Sequence, residues 1–417
     1  MIINPGSTRM RASTAAIADP GRLTDFLDDS GAAFLKGRDG FIALGEMARL
    51  DDVSMATADQ WWREFSARIE NETEMPEAFG TGPIAYGSFV YDPARSSQRS
   101  CLVVPEVVVG RREGRCWVTR LGYDSVDPVL PERRTAPPPP RGLSFGPGEE
   151  TGHEETSQEW IDRFNRIRGL IDEGRADRIV LLRQLTARAE GRLDPRWVLR
   201  QWRMNYGGSW TYLVGGLVGA TPEVMVRRSG GLTVSRILAG SVQPLGGLDE
   251  AAQTAQLLSD SDRLRQHRRA VDTAAEGLRP FMRGMHVPEQ PFALALPDGL
   301  NLATDICGAT SPGHSALALA AALHPLASVT GSPVEAAREI IRAEGTTDRG
   351  RFGAPVGWID AQGDGEWFAA LRPCQIEDDG VVLLYASATA SASTSAHDKL
   401  VSTQVKLDQM RGLLTGR

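Results

Sequence analysis

Long apolar runs, paired cysteines, a lysine-rich block and short repeats are all missing from this chain of 417 residues. Each absence removes a class of function. The most apolar stretch, SALALAAAL, is flanked by His314 and His324. It is far too short to cross a bilayer, which takes roughly 20 residues. The four cysteines (Cys101, Cys116, Cys307 and Cys374) are widely spaced with no CxxC pair, so they read as ordinary thiols and not as a zinc site. Lysine is scarce, and the far more numerous arginines are dispersed among acids. With a formal net charge of -7, this argues against nucleic acid as a partner. It leaves room for an anionic metabolite, which needs only a local basic pocket. The N-terminal MIINPGSTRMRAST has no apolar core of a secretory signal. No membrane partner is indicated, and a cytoplasmic location is the expectation. No internal repeat of fixed short period is visible.

What is present has the balance of a globular protein, with 41% hydrophobic and 24% charged residues, so a sizeable core can form. The length exceeds what one compact core usually holds, which predicts one large domain or two fused lobes. Residues 1 to 24 show little periodicity and are expected to be partly disordered. From 25 to 135 short β-like runs (FIALG, IAYGSFVYD, CLVVPEVVVG, CWVTRLG) alternate with Gly-, Asp- and Arg-rich turns, as in antiparallel strands. TAPPPPRG, carrying Pro137 to Pro140, cannot enter a sheet interior, so 136 to 158 reads as a surface linker. From 159 to 417 helices and strands mix. Trp160, Phe164, Ile167 and Leu170 or Ile171 mark one face of a helix. RIVLLRQLTARAE reads as a strand, DPRWVLRQWR as a helix, and 249 to 283 as a long helix. Further helices are expected at 314 to 323 and 333 to 344, the latter capped by Ser332 with Pro333 and Glu335 in its first turn. Without strict βα alternation the class is α+β: two layers of mixed antiparallel sheet with helices outside.

The chemistry-bearing residues cluster late. EGTTDRGRFGAPVGWID, a GDG turn and WFAALR end on Arg372; a second strand, VVLLYASATA, leads into a polar helix with Lys399, Ser402 and Lys406. Alone, Arg372 reads as a strand end, Lys406 as an exposed helix face, and Glu223 as a carboxylate after a proline turn. Arg178 alone reads as a basic residue starting a strand.

Together with YGSFVYDP and VVPEVVVG, and with RIVLLR, VGATPE, ILAGS, LHP and GSP in order, these motifs resemble the chorismate-utilising enzymes. Within that family the isochorismate and salicylate synthase branch fits best. The resemblance covers most of the chain and implies the anthranilate synthase component I-like fold, with the N-terminal lobe intertwined with 159–417. It implies that Glu223 is the general acid that helps expel the C4 hydroxyl of chorismate. A carboxylic acid in a dry pocket suits that task. It implies that Arg372 and Lys406 grip a substrate carboxylate, that the backbone after ILAGS (Gly240, Ser241) adds hydrogen bonds, and that His324 joins the site, although a buried structural histidine fits as well.

The departures from the family pattern fall at the pocket. Its water-activating lysine is Arg178 here, which keeps its proton and cannot act as a base. Its magnesium-binding glutamates become Gln266, just before His267, and Lys399 and Ser402. Mg2+ requires hard oxygen donors, normally carboxylates and waters. One unit charge misplaced at about 4 Å is worth roughly 4 kcal/mol at an effective dielectric near 20. Ser387, Ala388 and Thr389 replace small residues on the substrate wall, Asn301 replaces a histidine, and Leu326 with Ala327 replaces Thr-Pro. Glu344 and Glu366 keep family positions and are the remaining acids for a displaced metal. No cofactor is therefore expected, although the resemblance implies Mg2+. Three functions stay open. The first is a metal-independent enzyme on chorismate or a related cyclohexadiene carboxylate, using Lys399 in place of the metal and elimination, lyase or rearrangement chemistry. The second is a non-catalytic homologue that binds an anionic metabolite or a partner enzyme. The third is an ordinary Mg2+-dependent isochorismate or salicylate synthase. The sequence does not fix the oligomeric state.

Overall fold

In the computed structural model, residues 9–124, 126–146, 155–242, 249–296 and 299–416 are described. Among them, two large sheets of 13 and 10 strands form the framework, antiparallel except where Met10–Ile17 runs parallel to Ile69–Thr73. Strands from the N-terminal third enter both. Ala32–Lys36 pairs with Trp210–Val214 in the larger sheet, and Ile84–Ser88 pairs with Pro355–Asp360 in the smaller. The two lobes are thus one intertwined fold.

Runs such as AAFLK and DGFIAL lack polar alternation because both of their faces are buried. Side chains alternate along a strand, so Phe34 and Phe41 enter the core between the sheets, with Tyr86, Tyr212, Trp358 and Phe368. Ala33, Leu35 and Ile42 face the other way, toward the Pro195–Asn205 and Ala396–Thr415 helices. The outer face of the smaller sheet is covered by helices Met55–Ser66, Ser261–Leu278 and Ala316–Leu323. No described helix is long and apolar enough to cross a membrane.

Local signals in the sequence set several helix starts. Ser157–Asp172 begins with a capping box in which Thr156 and Glu159 satisfy each other's backbone, and it buries Trp160, Phe164, Ile167 and Ile171. Asp194 caps Pro195–Asn205, and Ser395 caps Ala396–Thr415.

Other expectations fail. Met10–Ile17, expected to be irregular, pairs along its whole length with Arg115–Tyr123. Its partners on both sides, Arg115–Tyr123 and Ile69–Thr73, lie far along the chain and leave no local signal. Leu143–Phe145, inside the expected linker, is a strand on Arg178–Ala189; residues 147–154 of that linker and 1–8 of the N-terminus lie outside the described residues. The helix expected over 249–283 breaks at Asp260, whose carboxylate caps a second helix, giving Glu250–Ser259 and Ser261–Leu278. Ser332 does not cap Val334–Glu344. It pairs in a two-residue strand with Arg178, and that helix starts at Pro333 without a side-chain cap.

One close approach positions the future site. Gly219 packs against Tyr212, and a Cβ there would meet the Tyr212 hydroxyl at 2.1 Å and the Leu371 carbonyl at 2.9 Å. That hydroxyl donates to the Leu371 carbonyl at 3.0 Å, and the Trp202 indole donates to the Arg372 carbonyl at 2.9 Å. These two bonds hold Arg372 at φ 44°, a left-handed conformation that costs a non-glycine residue of order 1 kcal/mol. Gly219→Ala is expected to force Tyr212 and the Leu371–Arg372 turn apart. Stability should fall by about 1–3 kcal/mol, read from the urea midpoint. Tyr212→Phe, which loses only the hydrogen bond, should cost about 1 kcal/mol.

Candidate active site

Glu223 follows the Leu217–Thr221 strand, and its backbone N–H donates to Thr221 Oγ1 at 3.1 Å. Far from being exposed, the side chain is 1% accessible. Its Oε1 accepts the Ser328 hydroxyl at 2.8 Å, and the Leu238 backbone N–H also reaches the carboxylate. Burial pushes this carboxyl up to about 7, against the opposing pull of Ser328, Leu238 and the Arg178 charge. A carboxyl poised near neutrality can give up or take a proton at working pH.

Arg178 is the charge that faces it. The side chain is buried, and its Nη2 donates to the Ala327 carbonyl at 2.9 Å. Burial lowers its pKa, which Glu223 and Asp177 raise again in part. His267 lies close enough to feel Arg178 and is lowered to about 4, chiefly by burial. Its Nδ1–H donates to the Ala239 carbonyl at 3.2 Å, and its Nε2 meets Thr304 Oγ1 at 2.8 Å. His324 is also held neutral, lowered to about 4 by burial, with Nε2–H on the Tyr91 carbonyl at 3.0 Å. Glu223, Ser328 and His324 line a cleft of about 660 Å³ between the Ser261–Leu278 helix and residues 322–335.

The cationic residues meet elsewhere. Arg372, Lys406, Ser387, Tyr206 and Tyr385 line a cavity of about 120 Å³. The Arg372 guanidinium lies 5.1 Å from the Tyr206 ring centroid, and Lys406 Nζ donates to the Ser387 carbonyl at 2.9 Å. This cavity is too small for a whole ring, since metabolite pockets run to several hundred Å³. It shares no lining residue with the Glu223 cleft. The link is the strand Val381–Ser391. Ser387 and Thr389 stand opposite Leu182 and Val180, and Ser391 stands opposite Arg178. Four residues of strand, roughly 13 Å, separate the clamp from the Arg178 level.

The remaining candidate positions lie on three other elements. Gly240 has φ 82° beside a bulge between Ala239 and Ser241; of Ser241 only the backbone, paired with Asn301, is described. Gln266 is half-buried on the helix packed beneath, and Lys399 and Ser402 are half-buried on the C-terminal helix. Burial lowers the Lys399 ammonium, and the nearby Arg263 charge lowers it further, against Asp398. An amide, a hydroxyl and an ammonium next to a guanidinium do not suit a magnesium ion, which requires carboxylate oxygens. The described residues gather no metal-binding group of His, Cys, Asp and Glu.

The acids proposed as substitutes are engaged otherwise. Glu366 is buried and paired with Arg112 at 2.8 Å and Arg227 at 3.5 Å, and Glu344 pairs with Arg166 at 3.3 Å. Spacing alone could not reveal these partners, because Arg112 and Arg166 are 254 and 178 residues away. A larger cavity of about 910 Å³ opens beside Gln184 and Tyr385, lined by seven acids and two arginines. Its sign is wrong for an anionic ligand. Sequence reasoning missed Ser328 and Arg263. Nothing local marks Ser328, whereas Arg263 lies one helical turn before Gln266, and that spacing was available.

Against known proteins, a family model described as chorismate binding enzyme matches residues 32–415. The putative isochorismate synthase MenF of Mycobacterium tuberculosis is 31% identical over 345 residues, covering 78% of this chain and 85% of that protein. Isochorismate synthase DhbC of Bacillus subtilis is 40% identical over 197 residues, 46% of this chain and 49% of that protein, so this match spans about half of either length. Among solved structures, the putative 2,3-dihydroxybenzoate-specific isochorismate synthase DhbC of Bacillus anthracis superposes with a TM-score of 0.75 at 25% identity, over 94% of this chain and 98% of that one. The menaquinone-specific isochorismate synthase MenF of Escherichia coli, at 18% identity and TM-score 0.80 over 98% and 95% of the two chains, shares the fold.

The Glu223 environment sets a pH dependence of stability. The folded carboxyl binds its proton up to about 7, whereas the reference value is 4.5. Its contribution is therefore full below pH 4.5 and is lost as pH rises to about 7, a change of about 3 kcal/mol. His267 and His324, lowered from 6.5 to about 4, act in the opposite sense over an overlapping range. The difference between Glu223→Gln and the natural chain isolates the carboxyl. The variant is expected to gain up to about 3 kcal/mol relative to the natural chain between pH 4.5 and 8 in urea titrations. A difference independent of pH would rule out the perturbed carboxyl.

Proposed function

The chain belongs to the chorismate-binding enzyme family and is isochorismate-synthase-like, and we propose that it acts on chorismate or a related cyclohexadiene carboxylate without a magnesium ion. The metal-free part rests on one observation: Lys399, beside Arg263, stands where the family resemblance puts a metal-binding carboxylate. In this reading Arg372 and Lys406 hold one carboxylate of the substrate and Lys399 holds the ring carboxylate. Gly240, Ser241, Ser387 and Thr389 form the walls, and the neutral His324 helps exclude water beside Glu223. In an elimination the Glu223 acid gives its proton to the C4 hydroxyl, which leaves as water. The carboxylate left behind takes the proton from C3, so that the ring becomes aromatic. In lyase or rearrangement chemistry the C4 hydroxyl stays on the ring.

Arg178 has no basic lone pair to offer, so attack by water at C2 has no base. Elimination, lyase chemistry or rearrangement of the enolpyruvyl ether needs no activated water and is favoured for that reason. The reaction would run in the cytoplasm. A second reading, Mg2+-dependent isochorismate synthesis, draws support from the names of the relatives. The ion pairs that occupy Glu344 and Glu366 count against it.

Purified protein incubated with chorismate or isochorismate, with and without EDTA, is expected to give product by mass spectrometry at rates that EDTA leaves unchanged. Activity lost with EDTA would sink the metal-free reading, and ligand-induced stabilisation without turnover would favour a binding-only protein. In calorimetry the natural chain should bind Mg2+ no better than millimolar. The triple variant Gln266→Glu, Lys399→Glu, Ser402→Glu, which supplies three carboxylates, should bind it at least tenfold more tightly.

A further inference from the structure

Glu223 lies at the floor of the cleft of about 660 Å³, yet it is only 1% accessible. A buried carboxyl that gives and takes protons needs a path by which they arrive. The apolar floor around it offers none, because Ile237, Leu323, Leu326 and Ala327 are themselves buried and carry no exchangeable side-chain proton. The Leu238 backbone N–H reaches the carboxylate but has no lone pair with which to take up another proton. His324 is engaged through Nε2 with the Tyr91 carbonyl at 3.0 Å.

Ser328 is different. It lies in the short helix Ala327–Thr330, flanked by buried Ala327 and Val329, and it is half-buried on the cleft wall. Its hydroxyl donates to Glu223 Oε1 at 2.8 Å. Among the described residues its oxygen accepts no hydrogen bond, which leaves lone pairs for a water in the cleft. The outer wall of that cleft is acidic: Asp177, Asp272, Glu276 and Glu335 line it, and the lining Arg269 pairs with Asp177. Carboxylates gather protons and hold anions off, so this cleft suits proton traffic and not the passage of an anionic substrate.

We propose that Ser328 is the proton relay between Glu223 and solvent, so that the buried acid is charged and discharged through this cleft. A hydronium ion in the cleft gives a proton to Ser328 Oγ as the Ser328 hydroxyl proton passes to Glu223 Oε1. Water and an unchanged serine remain. An elimination hands the C3 proton to Glu223, and the relay then exchanges it with solvent. The inference rests on Glu223 as the acid of the proposed reaction, but its test needs no substrate.

Infrared spectra at about pH 5 should show the protonated form of the two carboxyls that burial raises to about 7, Glu223 and Asp360. The band that Glu223→Gln lacks belongs to Glu223. After rapid mixing into D2O, Ser328→Ala is expected to exchange this band at least about tenfold more slowly than the natural chain. Ser328→Thr, which keeps the hydroxyl, should recover most of the rate. The Asp360 band should exchange alike in all three chains. A merely structural role for Ser328 predicts the opposite sign, since a loosened cleft wall speeds exchange. The relay is overturned if Ser328→Ala exchanges as fast as the natural chain or faster, if the Asp360 band slows equally, or if the natural chain shows no Glu223 band. Chorismate turnover alongside exchange that ignores Ser328 would sink the relay and leave the enzyme reading intact. Exchange that depends on Ser328 without turnover would do the reverse.

Discussion

The antiparallel pairing of Arg178–Ala189 with Val381–Ser391 carries the site. The two strands run together through eleven positions, although they lie some two hundred residues apart in the chain. Because side chains alternate, this register puts Arg178, Val180 and Leu182 on one face with Ser391, Thr389 and Ser387. A slip of one residue would turn the whole wall over. The free edge of the first strand is closed by side chains. The buried Arg163 donates to the Leu182 carbonyl at 3.2 Å, and the buried Arg349 donates to the Val180 carbonyl. The same pairing carries the C-terminal helix into place, because Lys406 is anchored on the Ser387 carbonyl. The clamp and Arg178 therefore have a fixed separation set by strand geometry.

On that scaffold the balance of charge sets the protonation of the buried acid. Burial alone would make Glu223 a poor anion; the Ser328 hydroxyl, the Leu238 amide and the Arg178 charge bring it back to about 7. Of the three lysines in the chain, two lie on the C-terminal helix, one at the clamp and one beside Arg263. Several other buried or half-buried charges are paired: Glu366 with Arg112, Asp92 with Arg342, Arg163 with Glu155.

Much of the scaffold was legible because its signals are local. The spacing of Trp160, Phe164 and Ile167 and the DPRWVLRQWR run each require only a few consecutive residues. The failures have one cause. Met10–Ile17 becomes a strand, and Ser332 joins a strand instead of capping a helix, because distant partners outweigh local preference. At the site the same division holds. From chemistry alone, the residue types at 266, 399 and 402 could be read as hostile to a metal and that at 178 as unfit to be a base. The buried state of Glu223, its bond to Ser328 and the diversion of Glu344 and Glu366 to arginines could not.

The sequence by itself determined the α+β class, the family and the identity of the groups offered to a ligand, since these depend on residue type and order. Tertiary structure alone decided which of those groups share a space. It took Glu366 away from the site and set the clamp roughly 13 Å along a strand from Arg178. The reason is physical: an ionisable side chain acquires its function from solvent exclusion and from the charges within a few ångströms, and in this fold those neighbours come from far along the chain.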